Sequence, residues 1–388
     1  MIPLYPLRFE EIPKEKIWGG RTLGELLGKR LAPDVLIGES WEVSDRDGDQ
    51  SIVAEGTLKG TSLGELVRRY GSRLVGDCSL AKGRFPLLLK IIDAQQKLSV
   101  QVHPTDELAL KYSEMDPGKT EMWYVVAAQP GAELMLGLRP DVTKQDFLEA
   151  IRAGRFEGCL DRFRVQTGDA FFLPAGSVHA LGAGIVVAEI QENSDATYRL
   201  YDWGRVGADG KPRAVHLEKA LDAINFDRPL LRRVSGVTSV EGENRRTLLV
   251  ACTYFAAEAI EVKSEYREET NGNSFSILFF ERADPFIVWN GETLRGHRGQ
   301  SWLIPAEIRS WRIEGTCKVL RFYVPDIVKD IIEPLTERGI AERDIRLLGG
   351  DLKTGDVARA YEKWLSAREQ RETKDTSVIG RCSRTCRK

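Results

Sequence analysis

From Phe85 onward the chain consists mostly of short apolar runs cut by Gly and Pro, and this punctuation limits the fold more than any other feature. Examples are Phe85-Pro86-Leu87-Leu88-Leu89-Lys90-Ile91-Ile92, Glu121-Met122-Trp123-Tyr124-Val125-Val126 and Ala170-Phe171-Phe172-Leu173-Pro174. Runs of this length bounded by turn formers predict β-strands of a sandwich or barrel. Two segments carry a helical period instead. Thr143–Ile151 begins with a capping residue and spaces its apolar positions along one face, and Leu217–Ile224 has similar spacing without the cap. Both are expected to cover a sheet.

After Asn225-Phe226-Asp227-Arg228-Pro229 a second strand-rich block begins, with runs at 275–280, 285–289 and 319–324. Its Asn290-Gly291 pair predicts a tight hairpin. Gly299-Gln300-Ser301-Trp302-Leu303-Ile304-Pro305-Ala306 echoes Gly168-Asp169-Ala170-Phe171-Phe172-Leu173-Pro174-Ala175, each a Gly-led turn into an apolar strand that ends in Pro-Ala. The expected organisation is two related barrels, over 1–225 and 226–325, the second without the metal-binding side chains of the first. Residues 326–388 form a charged, helix-compatible extension, with an unstructured polar end from near Glu369.

Composition excludes several classes of function. Lys plus Arg number 56 against 58 Asp plus Glu, so nothing global attracts nucleic acid or an anionic membrane. The first residues lack the basic and apolar stretches of a signal peptide, and no run approaches the ~20 apolar residues of a membrane span. A cytoplasmic location is the expectation. The six cysteines are scattered, which argues against a disulfide framework, and Cys382 and Cys386 are expected in a solvated terminus.

The chemistry concentrates around Leu98-Ser99-Val100-Gln101-Val102-His103-Pro104. Strand residues two apart share a face, so Gln101 and His103 can approach one ion together. Glu121 offers a carboxylate at the head of another strand, and Pro174-Ala175-Gly176-Ser177-Val178-His179 places a second imidazole after a turn. Two His and one Glu are a common set for catalytic zinc, whereas a lone strand histidine is as well served by ordinary hydrogen bonds. His216 and His297 have no ligand-like companions and are expected to be structural or solvated.

In order along the chain, Phe85–Lys90, Leu98–Pro104, Lys119-Thr120-Glu121-Met122-Trp123-Tyr124 and Pro174–Ala180 resemble the signatures of type I phosphomannose isomerases. The resemblance implies a jelly-roll cupin fold, consistent with a mainly β architecture of two cupin-like jelly-roll barrels with covering helices, and it offers no counterpart in the family for the helical C-terminal extension after Pro325. It implies one Zn2+ per chain held by Gln101, His103, Glu121 and His179. It also implies Arg199 as an essential arginine, reached through the acidic stretch Glu189–Asp195, with Ser99, Lys90 and Lys119 lining a sugar-phosphate site and Trp18 in a Trp-Gly motif. Interconversion of mannose 6-phosphate and fructose 6-phosphate through a cis-enediol follows, with Arg199, Glu189 and Lys119 as the catalytic candidates and Asp195 beside the substrate. Glu189 serves equally well as a carboxylate that orients Arg199 or a zinc ligand. The expected partner is a small sugar phosphate, with no nucleic acid or membrane, and the assembly a monomer or weak homo-oligomer. Two other readings fit the same ligands, a metal-dependent cupin oxygenase and a sugar-phosphate-binding cupin without turnover.

Overall fold

The structure, a computed structural model, describes residues 2–78, 80, 83–206, 210–227 and 233–385, with side chains through Arg371. Arg228-Pro229 of the expected linker, Cys386 and the Cys382 side chain fall outside that description. Cys78, Cys159, Cys252 and Cys317 are free thiols.

The strands pair antiparallel into four main sheets. A six-stranded sheet runs in the order Ala170–Leu173, Glu121–Ala128, Ile185–Glu192, Leu87–Ala94, Ile37–Val43, Ile12–Gly20. A five-stranded sheet has Leu160–Arg164, Glu133–Leu138, His179–Ala180, Val100–Val102 and Tyr198–Tyr201. Between them lies an apolar layer with Ile92, Trp123 and Val187 from the first sheet and Leu134 and Leu136 from the second. A seven-stranded sheet, Leu7–Arg8, Ser301–Ile304, Ser276–Arg282, Cys317–Tyr323, Ala256–Val262, Asn244–Ala251, Val237–Glu241, faces a four-stranded sheet in the same way. That smaller sheet runs Glu265–Glu269, Ser310–Glu314, Phe286–Trp289, Glu292–Arg295.

The fold is mainly β as expected, but each expected barrel is a pair of open facing sheets. The reason is that the ladders stop at edge strands and the chain crosses between layers through loops. Apart from the added strand Leu7–Arg8, the two large sheets have one strand order. The Gly-led segments that echo each other in sequence take corresponding places, pairing Leu173 with Glu121 and Ile304 with Ser276.

The two large sheets also pack back to back. Leu89, Ile91, Met122 and Tyr124 meet Ile277, Phe279, Leu320 and Phe322 in the largest core of the molecule. Leu87–Ala94 is therefore covered on both faces and all eight residues are buried, which is why it is a continuous apolar run instead of an alternating one. Of its two charged residues, Lys90 points into the first sandwich, since neighbours 89 and 91 belong to the other core, and Asp93 near the end accepts the Thr22 N–H.

The helices Lys144–Arg152 and Leu217–Ala223 cover the outer face of the five-stranded sheet, where Phe147 and Ala220 pack with Val100, Val102 and Tyr198. Thr143 and Asp146 form a reciprocal capping box, while the second helix has no side-chain cap. Asn290 and Gly291 turn with φ of 45° and 81° between paired Trp289 and Glu292, as a type I′ hairpin requires. Beyond Pro325, helical segments at Ile327–Ile332, Glu333–Glu337, Glu342–Leu347 and Asp356–Thr385 pack Ile331, Ile332, Ile345 and Val357 onto Val237, Leu248 and Ala256 of the second sandwich. The helix runs to Thr385, through the stretch from Glu369 whose composition predicts an unstructured end.

Candidate metal centre

His103, Glu121 and His179 come together at the rim of the first sandwich, each offering a ligand atom within 4.8 Å of the others. Three local devices set this geometry. Val100–Val102 delivers His103 just past its end. Gly118 passes so close to Thr105 and Asp106 that a Cβ there would lie 2.6 Å from their backbone. This close approach sets the strand that begins with Glu121. The Pro-Ala-Gly turn brings in His179, and Gly176 at φ 85° donates its N–H to the His103 carbonyl at 2.9 Å, tying the two histidine segments together.

Both imidazoles are oriented by backbone carbonyls. His103 Nδ1 lies 2.8 Å from Ala196 O and His179 Nδ1 2.9 Å from Ser177 O. A protonated Nδ1 that donates to a carbonyl leaves the Nε2 lone pair of each ring facing the cluster. His103 Nε2 and Glu121 Oε1 are buried without a hydrogen bond, Oε1 lying 3.2 Å from His179 Nε2, while Glu121 Oε2 is ion-paired with Lys119. Buried acceptors left unpaired in this way are costly unless something electropositive sits among them. The donor set therefore fits a divalent cation with nitrogen and oxygen ligands.

Electrostatics agree. Burial, helped by Lys119, holds His103 well below the usual imidazole range, and burial takes His179 down to about 4, so both are neutral ligands near pH 7. Burial pushes the Glu121 carboxyl up to about 7, and Glu189 reinforces the rise while Lys119 opposes it. Such a proton is one that a cation would displace.

Gln101 adjoins the cluster. It pairs across the ladder with both His179 and Arg199, and its Nε2 lies 3.2 Å from His179 Nε2. Its Oε1 accepts from Ser99 Oγ at 3.3 Å. Turning the amide over would present the oxygen to the same space, since the two orientations fill one volume.

Lys119 stands 2.9 Å from Glu121 Oε2 and Lys90 is 3.3 Å from Glu189 Oε1, all four groups being buried. Burial by itself would raise Glu189, but Lys119 and Lys90 outweigh it and hold the carboxylate down at about 2. Arg199 donates through Nη1 to Ala214 O at 3.0 Å, and its Nε is buried without a partner. Asp195 is exposed, and its charge acts on both Lys119 and Arg199. Trp18 alone among the expected site residues lies in the apolar layer, packed with Ile92 and Trp123, and its carbonyl accepts from Gln95 and Gln96.

Several contributors escape a reading of the sequence. Trp123 donates Nε1 to Glu189 at 2.8 Å and sets its ring edge-on to His179, 5.3 Å between centroids. Its signal was the strand period, two residues after Glu121. Gln191, two after Glu189, takes Lys90 Nζ at 2.7 Å. Arg205 and Arg213 both bind Asp202, and together with burial they lower the proton affinity of Arg199. His216 is structural, accepting the Arg199 backbone N–H at 3.2 Å, and exposed His297 pairs with Asp284.

Comparison with known proteins gives this geometry a family. The model described as phosphomannose isomerase type I, catalytic domain, matches residues 7–123, and that described as mannose-6-phosphate isomerase, cupin domain, matches residues 244–324. Mannose-6-phosphate isomerase ManA of Bacillus subtilis is 41% identical over 254 residues, 65% of this chain and 78% of that protein. The probable mannose-6-phosphate isomerase GmuF of the same organism is 34% identical over 323 residues, 81% of this chain and 98% of its own length. The crystal structure of the mannose 6-phosphate isomerase from Bacillus subtilis superposes with a TM-score of 0.76 at 31% identity, covering 82% of this chain and 99% of that one. A putative mannosephosphate isomerase from Archaeoglobus fulgidus gives 0.65 at 25% identity, with 82% and 97% covered. Matched over 81% of its length by a relative 34% identical, and built around the two-histidine, one-carboxylate cluster that its own sequence motifs announce, the chain belongs to the type I phosphomannose isomerase family.

Proposed function

We propose that this protein interconverts mannose 6-phosphate and fructose 6-phosphate through a cis-enediol, with one zinc ion held by His103, Glu121, His179 and the Gln101 amide oxygen. The observation that carries this reading is the set of buried ligand atoms without hydrogen bonds, facing one another beside two buried lysines. Conversion of aldose to ketose moves a proton from C2 to C1 and a hydroxyl proton from O2 to O1, so no atom is gained or lost. The cation supplies Lewis-acid stabilisation of the negative charge that gathers on those two oxygens.

The chain's own groups complete the site. Lys119 is a buried cation whose proton affinity is raised by Glu121 and Glu189 despite the opposing effect of burial, so it stays charged and donates to a substrate oxygen. Glu189, ionised down to about pH 2, is too weak a base to accept a carbon-bound proton efficiently near neutrality. It acts as a fixed anion that, with Trp123 behind it, orients the two lysines. Arg199 presents its buried Nε and planar fork to an anionic oxygen. Around Asp202 the three guanidiniums of Arg199, Arg205 and Arg213 exceed the single carboxylate, which suits a phosphate dianion better than Lys90, Lys119 and Ser99. Those three are committed to Gln191 and Glu189, to Glu121, and to Gln101 respectively.

A coupled assay with mannose 6-phosphate, run with and without a chelator alongside elemental analysis, tests the reading. Turnover that falls with the metal content and returns with zinc is expected. Oxygen consumption without aldose-ketose conversion would favour an oxygenase, and binding without product a non-catalytic cupin.

A further inference from the structure

Because the two sandwiches share a strand order, ladder register gives residues of the metal centre counterparts in the second sandwich. Glu121 pairs with Leu173, and in the corresponding strands Ser276 pairs with Ile304. Glu189 lies between Lys90 and Trp123, and Arg321 lies between Glu258 and Leu278. The inward ion pair is thus retained with its signs exchanged, and the ligand carboxylate is replaced by a hydroxyl, which accepts from Arg321 Nε at 3.0 Å.

Glu258 and Arg321, with Arg246 and Glu268, border a cavity of about 380 Å³, within the size range of small-molecule sites. Glu258 and Arg321 are 2% and 5% exposed, so this is a built polar site and not a solvated surface patch. Glu258 takes Arg246 at 2.9 Å and Arg321 at 3.3 Å, and Glu268 lies 3.1 Å from Arg321. Thr270 Oγ1, shielded from solvent on a residue that lines the cavity, has no hydrogen-bond partner. Pro334, Leu335 and Ile340 of the C-terminal extension form one of its walls.

We propose that this cavity binds a neutral polyhydroxylated small molecule, a sugar or sugar alcohol, between the second sandwich and the extension. Two guanidiniums matched by two carboxylates leave no net charge to hold an ion. An anion would meet Glu258 and Glu268, a cation the two arginines, and an apolar guest would leave Thr270 Oγ1 without a partner. Vicinal hydroxyls donate and accept at once and so match a wall on which donors and acceptors alternate.

Calorimetric titration of the full chain with mannitol and with glucose tests the site. Saturable one-to-one binding is expected, unchanged in His179→Ala and weakened at least about tenfold in Glu268→Gln and in Ser239→Trp, which fills the cavity. Should Ser239→Trp fail to fold by circular dichroism, the near-isosteric Glu268→Gln decides. The proposal is overturned if neither polyol binds saturably, or if binding vanishes in His179→Ala and persists in Glu268→Gln.

Discussion

The two sandwiches solve one packing problem with opposite electrostatics. In the first, buried Lys90, Lys119, Glu121 and Glu189 surround imidazoles whose Nε2 atoms face Glu121, and His103 Nε2 and Glu121 Oε1 lack hydrogen bonds. In the second, Arg246, Arg321, Glu258 and Glu268 satisfy one another directly. One strand order thus supports a centre where imidazole nitrogens and a carboxylate converge on one point and a centre where guanidiniums and carboxylates pair directly. Function follows the side chains at a few register positions, and the fold that carries them is common to both.

Mutations can break this contrast. The largest effect is expected for His179→Ala, which should lose bound metal by elemental analysis and lower kcat/KM on the order of a thousandfold or more, while the thermal midpoint of the metal-free protein changes little. Full activity in metal-free His179→Ala protein would remove the metal from the mechanism. Arg321→Ala should do the converse. Removing one partner of a buried ion cluster is expected to cost about 3–5 kcal/mol in denaturant unfolding, with the metal content of the folded fraction unchanged.

The pH dependence sharpens the comparison. In the metal-free protein Glu121 keeps its proton up to about pH 7, so cation uptake below that pH must displace it. Titration at pH 6 in buffers of different ionisation enthalpy should report close to one proton released per metal from this carboxyl, falling toward none at pH 8.5. Apparent affinity should accordingly weaken as pH drops below 7. Equal proton release at both pH values would contradict the burial argument. The smallest effect is expected at the periphery, where Thr143→Ala removes the capping box of the helix over the first sandwich, costing about 1 kcal/mol of stability with kcat/KM unchanged.

Local chemistry made much of this legible in the chain itself. Asn290-Gly291 requires the positive φ values that it adopts, Thr143 caps the helix that it precedes, and the repeated Gly-led Pro-Ala segments occupy matching strands. The candidate ligands His103, Glu121 and His179 stood out because strand ends and turns bracket each of them. Trp18 packs in the apolar layer, a placement the sequence left open because a Trp-Gly motif does not reveal which face of a sheet its ring will occupy.

What the sequence determined by itself was therefore whatever depends on neighbours in the chain: strand and helix identity, turn type, capping, and the residue types able to bind a metal. Tertiary structure alone decided the rest. It set the pairing of facing sheets, the back-to-back core between them, the Arg199, Arg205 and Arg213 cluster about Asp202, and the exchange of Lys90–Glu189 for Glu258–Arg321. Each of these arises from contacts between residues far apart in the chain, whose energies depend on which faces are buried together and on which charges burial forces to share one space.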